Sequence, residues 1–225
     1  MEPVFSNRVS IQWGDEAPKE DTSTWILTAP DGKFVDARIS LESNVPQWLI
    51  TGKEVEIPTK EGYEFSIQFV HELDSVHGQN SEHSADTGHF KTLADKSRLE
   101  EGEMYNVDRK QVMKYKEVWR SIDSLHSTPE HLVATSVSNG LKASEIQSFI
   151  WELPEDSKGN ARGRLIKIGR FSQGIVEYNG SYQCIRIFDN SVVYQYGSNL
   201  EEIFGQFMRG LSTRNVQFPW KRVYP

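Results

Sequence analysis

Apolar residues along this chain recur most often at every second position, the period of a strand with one buried face. Tyr63, Phe65, Ile67 and Phe69 alternate with Glu64, Ser66 and Gln68 and give the clearest run. The same spacing joins Val9, Ile11 and Trp13, then Val35, Ala37, Ile39 and Leu41, then Met113, Tyr115 and Trp119. In the second half it links Phe149, Trp151 and Leu153, followed by Ile185 with Ile187 and by Val192 with Tyr194 and Tyr196. Asp31-Gly32, Asn139-Gly140 and Asn179-Gly180 tolerate the positive φ angles of tight turns. A two-residue turn at Asn179-Gly180 pairs 174–178 with 182–188, and Asp189-Asn190 turns the chain back through 192–196. That predicts a meander, the mark of an up-and-down sheet or barrel.

One segment breaks the pattern. Leu200, Ile203, Phe204, Phe207 and Met208 recur at helical spacing, Ser198 and Glu201 match a capping box, and Gly210 follows. A short amphipathic helix is expected there, packed on the end or flank of a barrel. The stretch 215–224 reads as a closing strand despite Pro219. Polar stretches at 71–88 and 121–130 interrupt the apolar pattern, and a hairpin is expected from 99–106 and 111–122 around Val107-Asp108-Arg109-Lys110. At 225 residues the chain has room for two domains of about 100 to 120 residues. The expected fold is all-β, with two consecutive antiparallel barrel domains at 1–108 and 109–225, the second opening on the return strand of that hairpin.

Composition narrows the partners. Hydrophobic residues make up 37%, charged residues 25% and aromatic residues 11%, which is a globular composition leaning toward sheet. The net charge of -7 sets an unfavourable field for a polyanion, so no nucleic acid is expected; Arg162, Arg164, Lys167 and Arg170 form a local basic group beside Glu152, Glu155 and Asp156. Cys184 is the single cysteine, and the first eight residues lack the apolar core of a secretory signal, so a reducing compartment is expected. No apolar run approaches the roughly 18 residues that cross a bilayer, and no membrane insertion is expected. Asn179-Gly180-Ser181 fits a glycosylation sequon but is read as a turn.

Candidate chemistry is sparse. His71, His77, His83 and His89 recur every sixth residue, with Asp74 and Glu82 nearby, which invites a metal reading. Six-residue spacing shares no face of a helix or strand, so solvated loop histidines are the reading adopted and no metal is assigned. Cys184 alternates with Tyr182, Arg186 and Phe188 and reads as a small packing residue. Glu100, Glu101 and Glu103 around Gly102, with Asp86 and Asp95 upstream, read as a solvated bulge rather than as acid/base carboxylates. Glycines on both sides of Phe171, in Ile168-Gly169-Arg170-Phe171-Ser172-Gln173-Gly174, mark a bulge or sharp bend. No phosphate loop, dinucleotide-binding motif, nucleophile elbow or zinc-protease helix is present in the sequence.

Several of these blocks carry a family likeness. Tyr115-Lys116-Glu117-Val118-Trp119-Arg120, preceded by Glu101-Gly102-Glu103-Met104, together with 168–174 and 25–39, resembles the fungal Hrr-interacting protein family, named for association with a yeast casein kinase I homologue. Phe171 stands where that family often has a bulkier aromatic residue, a departure that touches any shared pocket. The resemblance implies two successive lipocalin-like barrels, a cytoplasmic and also nuclear location, and no established enzymatic activity. The expected function is therefore a non-enzymatic interaction protein that binds a casein kinase I type kinase. The alternative is a carrier of a small apolar ligand in a barrel cavity, with Trp25, Phe65, Phe69, Trp151, Phe171 and Tyr194 lining the ligand or filling the core. No catalytic residue or cofactor is assigned, and a homodimer is left open.

Overall fold

The computed structural model describes residues 2–78, 85–106, 108–137, 146–157, 161–208 and 218–224. Eight strands come first: β1 (Val4–Trp13), β2 (Thr22–Thr28), β3 (Lys33–Ser40), β4 (Pro46–Ile57), β5 (Phe65–Asp74), β6 (Ala85–Thr92), β7 (Arg98–Asn106) and β8 (Gln111–Ser121). Each pairs antiparallel with the next, and β8 returns to β1 to close a barrel. Then follow β9 (Ser148–Ser157), β10 (Ala161–Ile168), β11 (Phe171–Tyr178), β12 (Ser181–Phe188), β13 (Ser191–Tyr196), a short helix α1 (Leu200–Phe204) and β14 (Lys221–Tyr224). These strands make a six-stranded antiparallel sheet in the order β13-β12-β11-β10-β9-β14.

The meander is borne out by a β11–β12 turn with Asn179 at φ +50° and Gly180 at +74°, and a β12–β13 turn with Asp189 at +47° and Asn190 at +65°. Other expectations need correction. The break between the sheets lies after β8 rather than at residue 108, because β8 carries inward-facing Tyr115 and Trp119 that complete the first barrel. Where a second barrel was expected, the described residues form an open sheet with β13 and β14 at its ends. Of the bulge or sharp bend expected at Gly169, the bend is what forms: Gly169, at φ +57° and packed on Ser124, makes the β10–β11 turn with Arg170. The helix starts from Asn199 with no side-chain cap, since Asn199 N–H meets Gln183 Oε1 at 3.4 Å and the neighbouring sheet fixes the entry. It runs five residues before a tighter turn over Gly205–Phe207 and lies on the face of the second sheet away from the barrel. Val107, His83, Glu82, Asn139-Gly140, Gly210 and 215–217 lie outside the described residues.

The main apolar layer sits outside the barrel. Phe5, Trp25, Leu27, Val35, Ala37, Ile39 and Leu49 project from the outer face of β1–β4 and meet Ile150, Ile166, Ile168, Phe171, Ile175 and Cys184 from the second sheet. Burying each large side chain here is worth about 1.5 to 3 kcal/mol. Three long polar side chains pin the same contact. Gln173 Nε2 donates to the carbonyls of Trp25 (2.8 Å) and Val35 (3.0 Å), Arg186 Nη2 to those of Ser23 and Ala37 (both 2.8 Å), and Arg164 Nη1 to that of Gly52 (2.7 Å). The second sheet thus lies between the barrel wall and α1, whose Leu200, Ile203 and Phe204 cover Leu165, Val176 and Ile185.

Candidate functional site

The barrel interior holds ionisable residues at the positions where alternation alone predicts a filled apolar core. On β7 and β8 the register sets Arg98 opposite Trp119 and Glu100 opposite Glu117, all facing inward. Two bulges turn further charges inside. The shift between Arg8 and Ser10 lets Ser6 and Arg8 face inward before Ile11 and Trp13 take over that face. The shift opposite Thr51 and Gly52 does the same on β5, where His71 and then Asp74 point in.

The two facing glutamates are resolved differently. Arg8 Nη1 donates to Glu117 Oε1 at 2.5 Å, and Arg38, itself paired to Asp36 at 2.9 Å, stands 3.9 Å from the same oxygen. Among the described residues Glu100 has no basic partner at bonding distance; it accepts from Tyr115 Oη (2.6 Å) and Trp119 Nε1 (2.8 Å). Burial, with Glu117 across the hairpin, pushes the Glu100 carboxyl up to about 8, so at neutral pH it is largely protonated. A Cβ at Gly88 would collide with this carboxyl, which is why β6 carries glycine there.

A second polar knot plugs one side of the barrel. Asp74 accepts Trp48 Nε1 (2.8 Å) and the backbone N–H groups of Val76 (2.9 Å) and His77 (3.0 Å), while Nδ1 of His71 and of His77 lie 2.8 and 3.0 Å from its other oxygen. Burial disfavours the charged imidazole of His71, but Asp74 and Asp86 outweigh it and raise the group to about 9. Burial works against ionised Asp74 as well, and its hydrogen bonds win, holding the carboxyl far below the usual range. Of the regularly spaced histidines, those described are not one cluster: His89 meets Ser66 Oγ at 2.8 Å at the far end of the same β5–β6 hairpin.

Asp36, Arg38, His71, Asp86, Glu100 and Glu117 border a void of about 30 Å³ that shares Ile26, Phe69, Glu100 and Trp119 with a larger recess of about 300 Å³. Phe65, Ile67, Phe69 and Phe90 give the recess an apolar wall, with Phe65 stacked on Phe90 at 4.7 Å. Phe65 and Phe69 stay partly exposed. Arg98, Glu54 and Glu100 are the ionisable groups set into it, with Glu56 exposed at its rim.

Of the residues expected to line a ligand or fill a core, only Phe65 and Phe69 meet in this recess. Trp25 and Phe171 pack together with Phe5 in the layer between barrel and sheet, with ring centroids 5.0 to 5.6 Å apart. Trp151 is on the opposite face of the second sheet against Phe207, and Tyr194 is on β13 with its hydroxyl 3.1 Å from the Asn44 carbonyl. Arg8, Arg98, Glu100 and Glu117 were missed, and Glu100 is corrected from a solvated bulge to a buried group because strand alternation turns it inward while Glu101 faces Tyr63, Lys91 and Lys116. The signal was present: the predicted hairpin around 107–110 already sets residue 100 opposite 117. Cys184 is buried, and burial pushes its thiol up to about 12, which fits a packing role.

The family described as Protein HRI1 matches residues 4–203. The fold is similar to that of the crystal structure of the uncharacterised protein YLR301w from Saccharomyces cerevisiae, with a TM-score of 0.76 at 20% identity, covering 100% of this chain and 99% of that one. No curated protein matches the chain. Among the described residues, no helix is long and apolar enough to cross a membrane.

Proposed function

This chain belongs to the HRI1 family, and from that premise we propose that it is a non-enzymatic binding protein whose first barrel takes up a small, largely apolar ligand. The observation that carries this reading is the recess of about 300 Å³ whose Phe65 and Phe69 walls remain partly uncovered. Eight-stranded barrels are the size at which side chains either fill the interior or leave room for one small ligand. The next-neighbour strand order and closure of β1–β8 support reading the first unit as lipocalin-like. The free, buried thiol of Cys184 supports a reducing setting, cytoplasmic or nuclear. Titration with the fluorescent apolar probe N-phenylnaphthylamine tests the reading. Saturable enhancement that is lost in Phe65→Glu is expected; no saturable binding, or equal binding by the variant, overturns it.

A second reading is a protein partner, with the casein kinase I type kinase carried by the family resemblance. One feature favours it: among the described residues β13 pairs only with β12, and its Val193 and Tyr196 are exposed. Such an edge suits addition of a partner strand. Affinity purification of tagged protein compared with Val193→Pro tests it, and equal or absent kinase recovery in both counts against it.

A further inference from the structure

Among the described residues, the cations inside this barrel are paired with one exception. Arg8 is held by Glu117 and Glu20, Arg38 by Asp36, and His71 by Asp74 and Asp86. Arg98 is on the inward face of β7, two residues from Glu100, and lines the 300 Å³ recess. Its Nη2 donates to Ser6 Oγ at 2.8 Å, yet its Nε–H is sealed from solvent and meets no acceptor, and among the described residues no carboxylate lies within ion-pair distance of the guanidinium. Glu54 is engaged by Thr28 Oγ1 at 2.8 Å, and both oxygens of Glu100 are taken by Tyr115 and Trp119. The unmet demand in the recess is therefore for an acceptor, and for negative charge beside an apolar wall.

Resting on the ligand-binding reading above, we propose that the recess takes a carboxylate-headed amphiphile. Its acid group accepts from Arg98, and its hydrocarbon tail lies along Phe65, Ile67 and Phe69. A guanidinium, which is charged and carries several N–H donors in one plane, matches a carboxylate better than it matches a hydroxyl. The surrounding acids do not cancel this preference. Burial holds the Glu54 and Glu100 carboxyls toward their neutral forms, while the same burial makes the guanidinium harder to keep charged without an anion beside it. The volume is at the small end of ligand sites, which run from about 300 to 1,000 Å³, and so favours a short chain over a long one.

The test compares three head groups on one tail, octanoate, octanol and octylamine, by isothermal titration of the full chain at pH 7, and repeats the series on Arg98→Leu. Octanoate is expected to bind about tenfold or more tighter than octanol, with octylamine weakest, as a charge-assisted hydrogen bond requires. In Arg98→Leu the octanoate preference over octanol is expected to vanish while octanol still binds, which also shows that the variant is folded. If that variant does not fold, the order of the three compounds on the unaltered protein decides. Octanol or octylamine binding as tightly as octanoate, or an octanoate preference that survives in Arg98→Leu, overturns the carboxylate assignment and leaves a barrel that binds apolar molecules. Binding of none of the three overturns both.

Discussion

The two faces of the barrel wall are built from alternate residues of the same strands, yet they carry opposite chemistry. On β3, Val35, Ala37 and Ile39 point out into the apolar layer beneath the second sheet, while Phe34, Asp36 and Arg38 point into the barrel. Outside, packing decides: shape and apolar area hold the second sheet in place, and Gln173, Arg164 and Arg186 satisfy carbonyls along the seam. Inside, pairing decides: buried charges are tolerated because most meet a partner. Period-two patterning marks which residues share a face without saying which face is the dry one.

That contrast can be broken most severely from the outside. Phe171→Ala removes a fully buried ring that touches Phe5, Trp25 and Phe188. A loss of about 3 to 5 kcal/mol in urea unfolding is expected, with both sheets melting in one transition. Separate transitions would show that the outer layer is not the shared core. On the inside, Arg8→Ala strands Glu117 in a buried site where Arg38 is 3.9 Å away, and a loss of about 3 kcal/mol is expected. The double variant Arg8→Met with Glu117→Leu is expected to lose less than the single, since the fully buried Glu117 charge is gone and only the partly exposed Glu20 loses its cation; a larger loss would mean that the pair itself stabilises the barrel.

Weaker and more specific is the pH response. Glu100 ionises near 4.5 when exposed and near 8 in the barrel, so the unfolded chain holds fewer protons than the folded one between those values, and stability falls as pH rises from 4.5 to 8. His71 adds stability that is complete below 6.5 and is lost as pH rises through about 9. Asp74 has the opposite sign, adding stability above 3.8 that is lost only in stronger acid. Urea midpoints from pH 5 to 9 are expected to decline, and Glu100→Gln to flatten the part below 8. An unchanged slope in that variant would place the titration elsewhere. Smallest of all, Leu41→Ser at a 63% exposed position is expected to stay within about 0.5 kcal/mol of the parent.

Much of the outer architecture was legible in the sequence. Asn179-Gly180 and Asp189-Asn190 announce their turns because few residue pairs take positive φ at both positions. The 99–106 and 111–122 hairpin was also legible, but its membership in the first sheet was not, since closure onto β1 is a long-range pairing with no local signal. The helix was legible from its apolar spacing, and its cap was not, because Gln183 on β12 rather than Ser198 meets the incoming chain. Inside the barrel, bulges at Arg8 and opposite Gly52 shift the alternation by one residue and hide which polar side chains point in. One local clue went unread. Asp74-Ser75-Val76-His77 and Asp123-Ser124-Leu125-His126 fold alike, each aspartate accepting the N–H groups two and three residues on and approaching the histidine Nδ1. An aspartate that caps its own turn has part of its burial cost met by backbone donors.

The most direct test of a hollow inner face against a filled outer one is methyl NMR on isoleucine-labelled protein titrated with octanoate. Ile26 and Ile67 line the recess, whereas Ile166 and Ile175 sit in the apolar layer outside the wall. Saturable shifts at the first pair with none at the second are predicted. Shifts confined to Ile166 and Ile175, or absent from all four, would contradict the account.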